Sequence, residues 1–182
     1  MNQKSQLRKN FLMLRNALSD EERQYQESEV LKILLLLSRW TQAKKIGVYL
    51  SFKGEFSTRA IIQNALASDK IVYAPIVTDQ ANGLMRFQQI ALKDNAIEFL
   101  ENDSTTVQPI DLDCMLVPLL AFDKHHYRLG MGGGFYDRYL SLYQTKKPWL
   151  LGLAYEEQYC EHLPHDNWDQ PLDTVVTPSG FC

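Results

Sequence analysis

Four glycines fall within the five positions Gly130-Met131-Gly132-Gly133-Gly134, between Arg128 and Asp137, and this run constrains the fold more than any other stretch of the chain. A segment so poor in side chains adds little to a core or a regular helix, because glycine loses the most backbone freedom on ordering. It must therefore be a loop, and its flanks say what it joins. Upstream, Cys114-Met115-Leu116-Val117-Pro118-Leu119-Leu120-Ala121-Phe122-Asp123 is a short apolar run bounded by acids, as expected of a strand buried on both faces. Downstream, Tyr136, Tyr139, Leu140 and Tyr143 recur at helical spacing. The region predicts strand, glycine loop, helix, with the loop where a helix start favours an anion.

Such a loop suits phosphate, because glycine backbones approach a ligand closely and successive N–H groups can converge on anionic oxygens. Arg128 adds a planar fork of charged donors, and Asp137 could hold a hard cation such as Mg²⁺ beside them. A tight turn ahead of a helix is the plainer reading of the glycines alone; the flanking Arg and Asp favour phosphate. The order of residues matches neither the P-loop nor the dinucleotide-binding glycine signature, so the chemistry depends on the neighbours.

Elsewhere the pattern alternates between helix and strand. Leu7, Phe11, Leu14 and Leu18 share one face of an N-terminal helix. Ser19-Asp20-Glu21-Glu22 is a capping-box pattern that predicts a helix from about Asp20 to about Ser38. Ile46 to Leu50 reads as a buried strand, Ser57 as the cap of a helix bearing Ile61, Ile62, Ala65 and Leu66, and Ile71 to Val77 as β-rich. Leu84 to Gln88 alternates in strand fashion, residues 93–111 read as polar loop, and Trp149 to Ala154 and Thr174 to Thr177 supply two later strands. The expectation is one α/β domain over 1–182, with a mainly parallel central sheet flanked by helices. In such a sheet ligands collect at the carboxyl ends of the strands, which brings Glu55 and the glycine loop together.

Composition removes several classes. At 182 residues the chain is long enough for one domain that buries about 70% of its unfolded surface. A net charge of -3 creates no basic field to attract nucleic acid or an anionic membrane. The apolar stretch from Val30 to Leu37 is far short of the ~20 residues that cross a bilayer. Cys114, Cys160 and Cys182 are odd in number and widely separated, forming neither a disulfide framework nor a zinc pattern, so a reducing cytoplasm is expected. Residues 1–18 are basic and free of acids, like a transit peptide, but their apolar face and single serine favour a folded helix. Cys160-x-His162-x-x-His165, with Asp166 and Asp169 nearby, has neither zinc-ribbon nor metalloprotease spacing, and no Ser-His-Asp or Cys-His nucleophile arrangement is readable.

Four segments in order carry a family resemblance: Lys4-Ser5-Gln6-Leu7-Arg8; Val48-Tyr49-Leu50-Ser51 leading to Glu55; Val117 to Asp123 followed by Tyr127 to Arg138; and Leu172-Asp173-Thr174-Val175-Val176-Thr177-Pro178. Together they resemble the 5-formyltetrahydrofolate cyclo-ligase family over nearly the whole chain. The resemblance implies a fold like that of the broader sugar-phosphate isomerase and CoA-transferase-like group. It also implies that Lys4, Ser5, Gln6, Leu7 and Arg8 bind ATP together with Arg128, Leu129, Gly130, Met131, Gly132, Gly133, Gly134, Phe135 and Tyr136. Leu50 and Glu55, with Met131 to Phe135, are implied to touch the folate. Asp137 and Asp173 are implied to hold Mg²⁺, and Lys4 and Arg128 to act in catalysis, Arg128 by neutralising charge on the γ-phosphoryl group.

The implied reaction is ATP-dependent closure of 5-formyltetrahydrofolate to 5,10-methenyltetrahydrofolate, by a cytoplasmic monomer that works on small molecules rather than on nucleic acid or membrane. Met131 and Phe135 stand where the family often has residues with a polar handle, and Gln108 where it commonly has an acid before proline. Folate affinity is the property these departures touch. Competing readings are a non-catalytic folate- or nucleotide-binding relative, an isomerase or transferase that needs no ATP, and an RNA-associated module, for which the acidity argues poorly.

Overall fold

A computed structural model describes residues 3–100 and 109–181. Helix α1 (Gln3–Ala17) buries Phe11 and Arg15, and Leu7 packs with Phe11 against Leu120, Leu129 and Leu163. Its inward stripe is therefore 7, 11, 15 at i, i+4, i+8. Leu14, expected on that face, is 48% exposed, and a guanidinium takes the inward place instead. Helix α2 (Asp20–Leu36) begins at the predicted capping box: Glu22 N–H donates to Ser19 Oγ at 3.2 Å and Ser19 N–H to Glu22 Oε2 at 2.8 Å. It buries Gln26, Val30 and Leu34, and it stops at Leu36 because Leu37 turns extended, before the short helix α3 (Ser38–Gln42).

After β1 (Lys45–Gly47) come α4 (Arg59–Ala67), β2 (Ile71–Asp79), β3 (Leu84–Lys93) and β4 (Ala96–Phe99). Thr58, rather than Ser57, flanks α4, and its hydroxyl donates to the Tyr49 carbonyl at 2.6 Å instead of capping the helix. Strand β4 lies inside the segment expected to be loop; it pairs antiparallel with the end of β3, from Ile90↔Phe99 to Lys93↔Ala96. The substituted position Gln108 lies outside the described residues.

The apolar run upstream of the glycines divides into β5 (Cys114–Val117) and β6 (Ala121–Phe122). Pro118 lacks the N–H that would continue the ladder, so the chain leaves the sheet there. Strand β6 pairs with β7 (Arg128–Leu129) as a separate antiparallel hairpin. Helix α5 (Phe135–Ser141), β8 (Trp149–Leu153), β9 (Thr174–Thr177) and β10 (Gly180–Phe181) complete the order.

Eight strands form one sheet in the order β10-β9-β8-β5-β1-β2-β3-β4. The pairs from β9 through β8, β5 and β1 to β2 are parallel, while β10, β3 and β4 add antiparallel edges. This is the α/β fold with a mainly parallel sheet that the sequence predicts. Strand β5 shows why its sequence reads as doubly buried: Cys114 and Leu116 join the core under α2, and Met115 and Val117 join the opposite core under α5. The chain runs from β1 to β2 on one side and returns with β5 on the other. The loops leaving β1 and β5 therefore diverge and open a crevice at their carboxyl ends.

Candidate active site

That crevice is a cleft of about 790 Å³, lined by Lys4 and Arg8 from α1, Glu55 from the loop after β1, and Pro118 and Leu119 from the loop after β5. Arg128, the whole of Gly130 to Gly134, Phe135, Tyr136, Asp137 and Arg138 form one wall. Pro75 and Val77 of β2 and Met85 of β3 supply apolar lining, and Asp166, Trp168, Asp169 and Gln170 complete the rim.

The glycine loop needs its glycines at specific places. Gly132 (φ +100°) and Gly134 (φ +66°) take backbone conformations that a side chain disfavours, Gly134 at the point where the chain turns into α5. Two arginines hold the loop by its carbonyls: Arg8 Nε donates to Gly130 O at 2.8 Å, and Arg138 Nη1 to Gly133 O at 2.6 Å. Helix α5 has only seven residues, so the anion-binding character rests on the loop and the side-chain cations rather than on a helix dipole.

The hairpin of β6 and β7 aims Arg128. Buried Asp123 organises its turn, accepting from His125 N–H at 2.9 Å, Tyr127 N–H at 3.0 Å and Leu163 N–H at 3.1 Å. Arg128 donates through Nη1 to Gln170 O at 2.6 Å and through Nη2 to Asp137 Oδ1 at 2.8 Å. Its side chain is 6% exposed.

Lys4 donates to Asp166 Oδ2 at 2.6 Å and Asp169 Oδ2 at 2.7 Å. Burial pulls the Lys4 ammonium down, but the hydrogen bonds and charges of the two carboxylates outweigh it and hold Lys4 above its ordinary value. Burial likewise raises the Asp169 carboxyl, and Lys4, the Asp166 N–H and the Arg128 charge together hold it below the usual range. Glu55 goes the other way: burial pushes its carboxyl up, against the Phe52 N–H and the charge of Arg15. The Tyr136 hydroxyl is buried without a hydrogen-bond partner, and burial first, then the Glu55 charge, holds its proton on.

Of the residues singled out in the sequence, Lys4, Arg8, Glu55, Arg128 to Tyr136 and Asp137 line this one cleft. Ser5, Gln6, Leu7 and Leu50 do not: Gln6 bonds Asn10 in solvent, Leu7 belongs to the core beneath α1, and Leu50 packs on the core under α2. Asp173 is also elsewhere. It precedes β9 at the amino ends of the strands, accepts from Leu150 N–H at 2.7 Å, and lines a separate cavity with Asp113 and Lys146. The structure therefore has Asp137 and Asp173 lining different cavities.

Sequence reasoning missed the rim at 166–170. Asp166 and Asp169 drew notice only as companions of His162 and His165, whereas they pair with Lys4, more than 160 positions away. His165 instead stacks on Tyr127 at 3.7 Å between centroids. No local periodicity marks such a contact. Among the described residues no three His, Cys, Asp or Glu side chains form a ready-made metal cage, and no helix is long and apolar enough to cross a membrane.

Comparison with known proteins supplies the context for this geometry. Residues 1–178 match the model of the 5-formyltetrahydrofolate cyclo-ligase family. The 5-formyltetrahydrofolate cyclo-ligase of Haemophilus influenzae is 37% identical over 180 residues, covering 95% of this chain and 96% of that protein. The NMR structure of Aquifex aeolicus 5,10-methenyltetrahydrofolate synthetase superposes with a TM-score of 0.81 at 32% identity, covering 98% of this chain and 91% of the other. The 5,10-methenyltetrahydrofolate synthetase of Mycoplasma pneumoniae superposes with a TM-score of 0.76 at 28% identity, covering 97% and 99%. Family match, full-length relatives and shared fold agree with the cleft at the switch point, and the chain belongs to the 5-formyltetrahydrofolate cyclo-ligase family.

Proposed function

We propose that the chain converts 5-formyltetrahydrofolate and ATP to 5,10-methenyltetrahydrofolate, ADP and phosphate. The observation that carries this reading is the convergence, in one cleft, of a cationic glycine-loop wall with an apolar side and Glu55. The first suits a triphosphate; the second suits a flat ring system with polar N–H edges. The formyl oxygen attacks the γ-phosphorus and the bond to ADP breaks, leaving a phosphorylated imidate. N10 then attacks the formyl carbon and loses its proton, and phosphate departs with the former formyl oxygen. Phosphorylation matters because an amide oxygen leaves poorly and phosphate leaves readily.

The protein's part is positioning and charge. Arg128 and Lys4 neutralise the phosphate oxygens, the amides from Gly130 to Phe135 cradle them, and Arg8 keeps the loop in place. Glu55 accepts from the pterin N–H edge. Asp137 and Asp169 both line the cleft and would supply hard oxygen donors to a Mg²⁺ ion, which needs only one or two carboxylates. Bound there, Mg²⁺ would spread the negative charge of the transferring group. Asp173 has no place in this reading. The free thiols of Cys114 and Cys160 support a reducing, cytoplasmic setting, and the substrates are small molecules.

The test follows the near-ultraviolet absorbance of methenyltetrahydrofolate after mixing protein, 5-formyltetrahydrofolate, Mg²⁺ and ATP. The band should grow only in the complete mixture and fail without ATP or with Asp137→Ala. A flat trace from folded wild-type protein favours a binding-only relative.

A further inference from the structure

We propose that Arg15 is a positioning residue for folate binding: with Arg23 it clamps the loop that carries Glu55, so that the carboxylate meets the substrate at a fixed place. The proposal rests on Glu55 being the folate contact. Arg15 occupies the inward stripe of α1 where an apolar residue would pack, and it is 2% exposed. None of the four ion pairs among the described residues includes it, and its Nε has no partner. A buried guanidinium without a paired carboxylate is costly, so its hydrogen bond identifies what it does there.

That bond runs from Arg15 Nη2 to the Lys53 carbonyl at 3.0 Å. Arg23 donates through Nη1 to the next carbonyl, Gly54 O, at 2.9 Å and through Nη2 to Arg15 O, which ties the two helices at the same point. The carbonyls so held are the two that precede Glu55, and they belong to consecutive left-handed residues, Lys53 (φ +46°) and Gly54 (φ +76°). A non-glycine residue in that region needs outside support. On the far side of Glu55, Ser57 N–H donates to Glu27 Oε1 at 3.1 Å, and the Tyr155 hydroxyl holds the same oxygen at 2.6 Å. Glu55 is thus suspended between two anchored points. Its Oε2 accepts from Phe52 N–H at 3.0 Å, leaving Oε1 for a ligand.

The charged group that acts on Glu55 is Arg15 from α1, while Glu55 in turn raises the hydroxyls of Tyr49, just after β1, and Tyr136 from α5. Only Arg15 is a cation. Burial raises the Glu55 carboxyl and Arg15 opposes the rise, so the clamp also favours the ionised acceptor.

The experiment compares steady-state kinetics of the full chain with Arg15→Gln, Arg15→Lys, Arg23→Gln and Glu55→Gln. Arg15→Gln should raise KM for 5-formyltetrahydrofolate about tenfold, leave kcat and KM for ATP within about twofold, and move the acid limb of kcat/KM for the folate to higher pH. Arg15→Lys should restore that limb. Wild-type folate KM in folded Arg15→Gln, or equal losses for both substrates, overturns the proposal. If Arg15→Gln does not fold, Arg23→Gln decides by the same selective rise in folate KM, and its absence overturns the clamp. Glu55→Gln separates the two layers: a wild-type folate KM there removes the contact itself, whereas a raised KM with wild-type arginine variants rejects the clamp alone.

Discussion

At the residue scale, two of the cations that line the cleft are already matched by acids. Lys4 lies between Asp166 and Asp169, and Arg128 is bonded to Asp137. A triphosphate bound as proposed would exchange partners with those carboxylates, freeing them toward a metal ion and limiting the net gain from each new contact. Arg128 has the most to contribute, being 6% exposed and fixed by both the Gln170 carbonyl and Asp137. Arg128→Ala should lower kcat by about 10²–10³, the usual cost of one preorganised donor at developing charge; stopped-assay absorbance with protein shown folded by circular dichroism checks it. The two candidate metal acids separate as cleanly. Asp169→Asn should raise the Mg²⁺ concentration for half-maximal activity by roughly tenfold, while Asp173→Asn, which keeps an acceptor for Leu150 N–H, should leave the Mg²⁺ titration unchanged. The opposite ranking would return Asp173 to the site.

At the scale of elements, each boundary tests a local rule. Ser19→Ala removes one half of a complete capping box and should cost about 1 kcal/mol in urea denaturation. In the glycine loop the positions differ. Gly134→Ala puts a side chain at φ +66° and within 2.7 Å of Arg138, so it should destabilise by roughly 1–2 kcal/mol. A Cβ at Gly130 meets nothing within 4 Å, and Gly130→Ala should melt like the wild type. Equal melting of the two variants would mean that the loop is not held in this conformation. The same local rules explain what was legible beforehand. Strands β5 and β9 and the start of α2 carry unbroken apolar or capping signals, and their burial follows. Strand β4 has four residues of mixed exposure, too short for periodicity to rise above the polar stretch around it. On α1 the pattern misled because hydrophobicity nominated Leu14, while the inward slot is filled by Arg15, whose partner is a carbonyl on a loop 38 positions away.

At the scale of the whole molecule, the cleft joins parts that are remote in sequence: the first turn of α1, the loops after β1 and β5, and the 166–170 rim. The parallel order around β1 makes this possible, since strands entering from both flanks deliver their following loops to one end. The glycine wall and Glu55 were readable because each belongs to a motif; the rim was not, because its acids acquire meaning only from Lys4, more than 160 positions away. A ligand that bridges these parts must stabilise the fold as a unit. If ATP binds as proposed, ATP with Mg²⁺ at 100 times its Kd should add about 2.7 kcal/mol, which for a chain of this size should raise the melting temperature by roughly 5–10 °C. Lys4 is proposed to meet the phosphates, and it pairs with Asp166 and Asp169 of the rim. Lys4→Ala should therefore abolish most of the shift at the same ATP concentration and preserve the shift caused by 5-formyltetrahydrofolate alone. Loss of both shifts would show that Lys4 holds the two ends of the chain together rather than the nucleotide, and an undiminished ATP shift would remove Lys4 from the phosphate site.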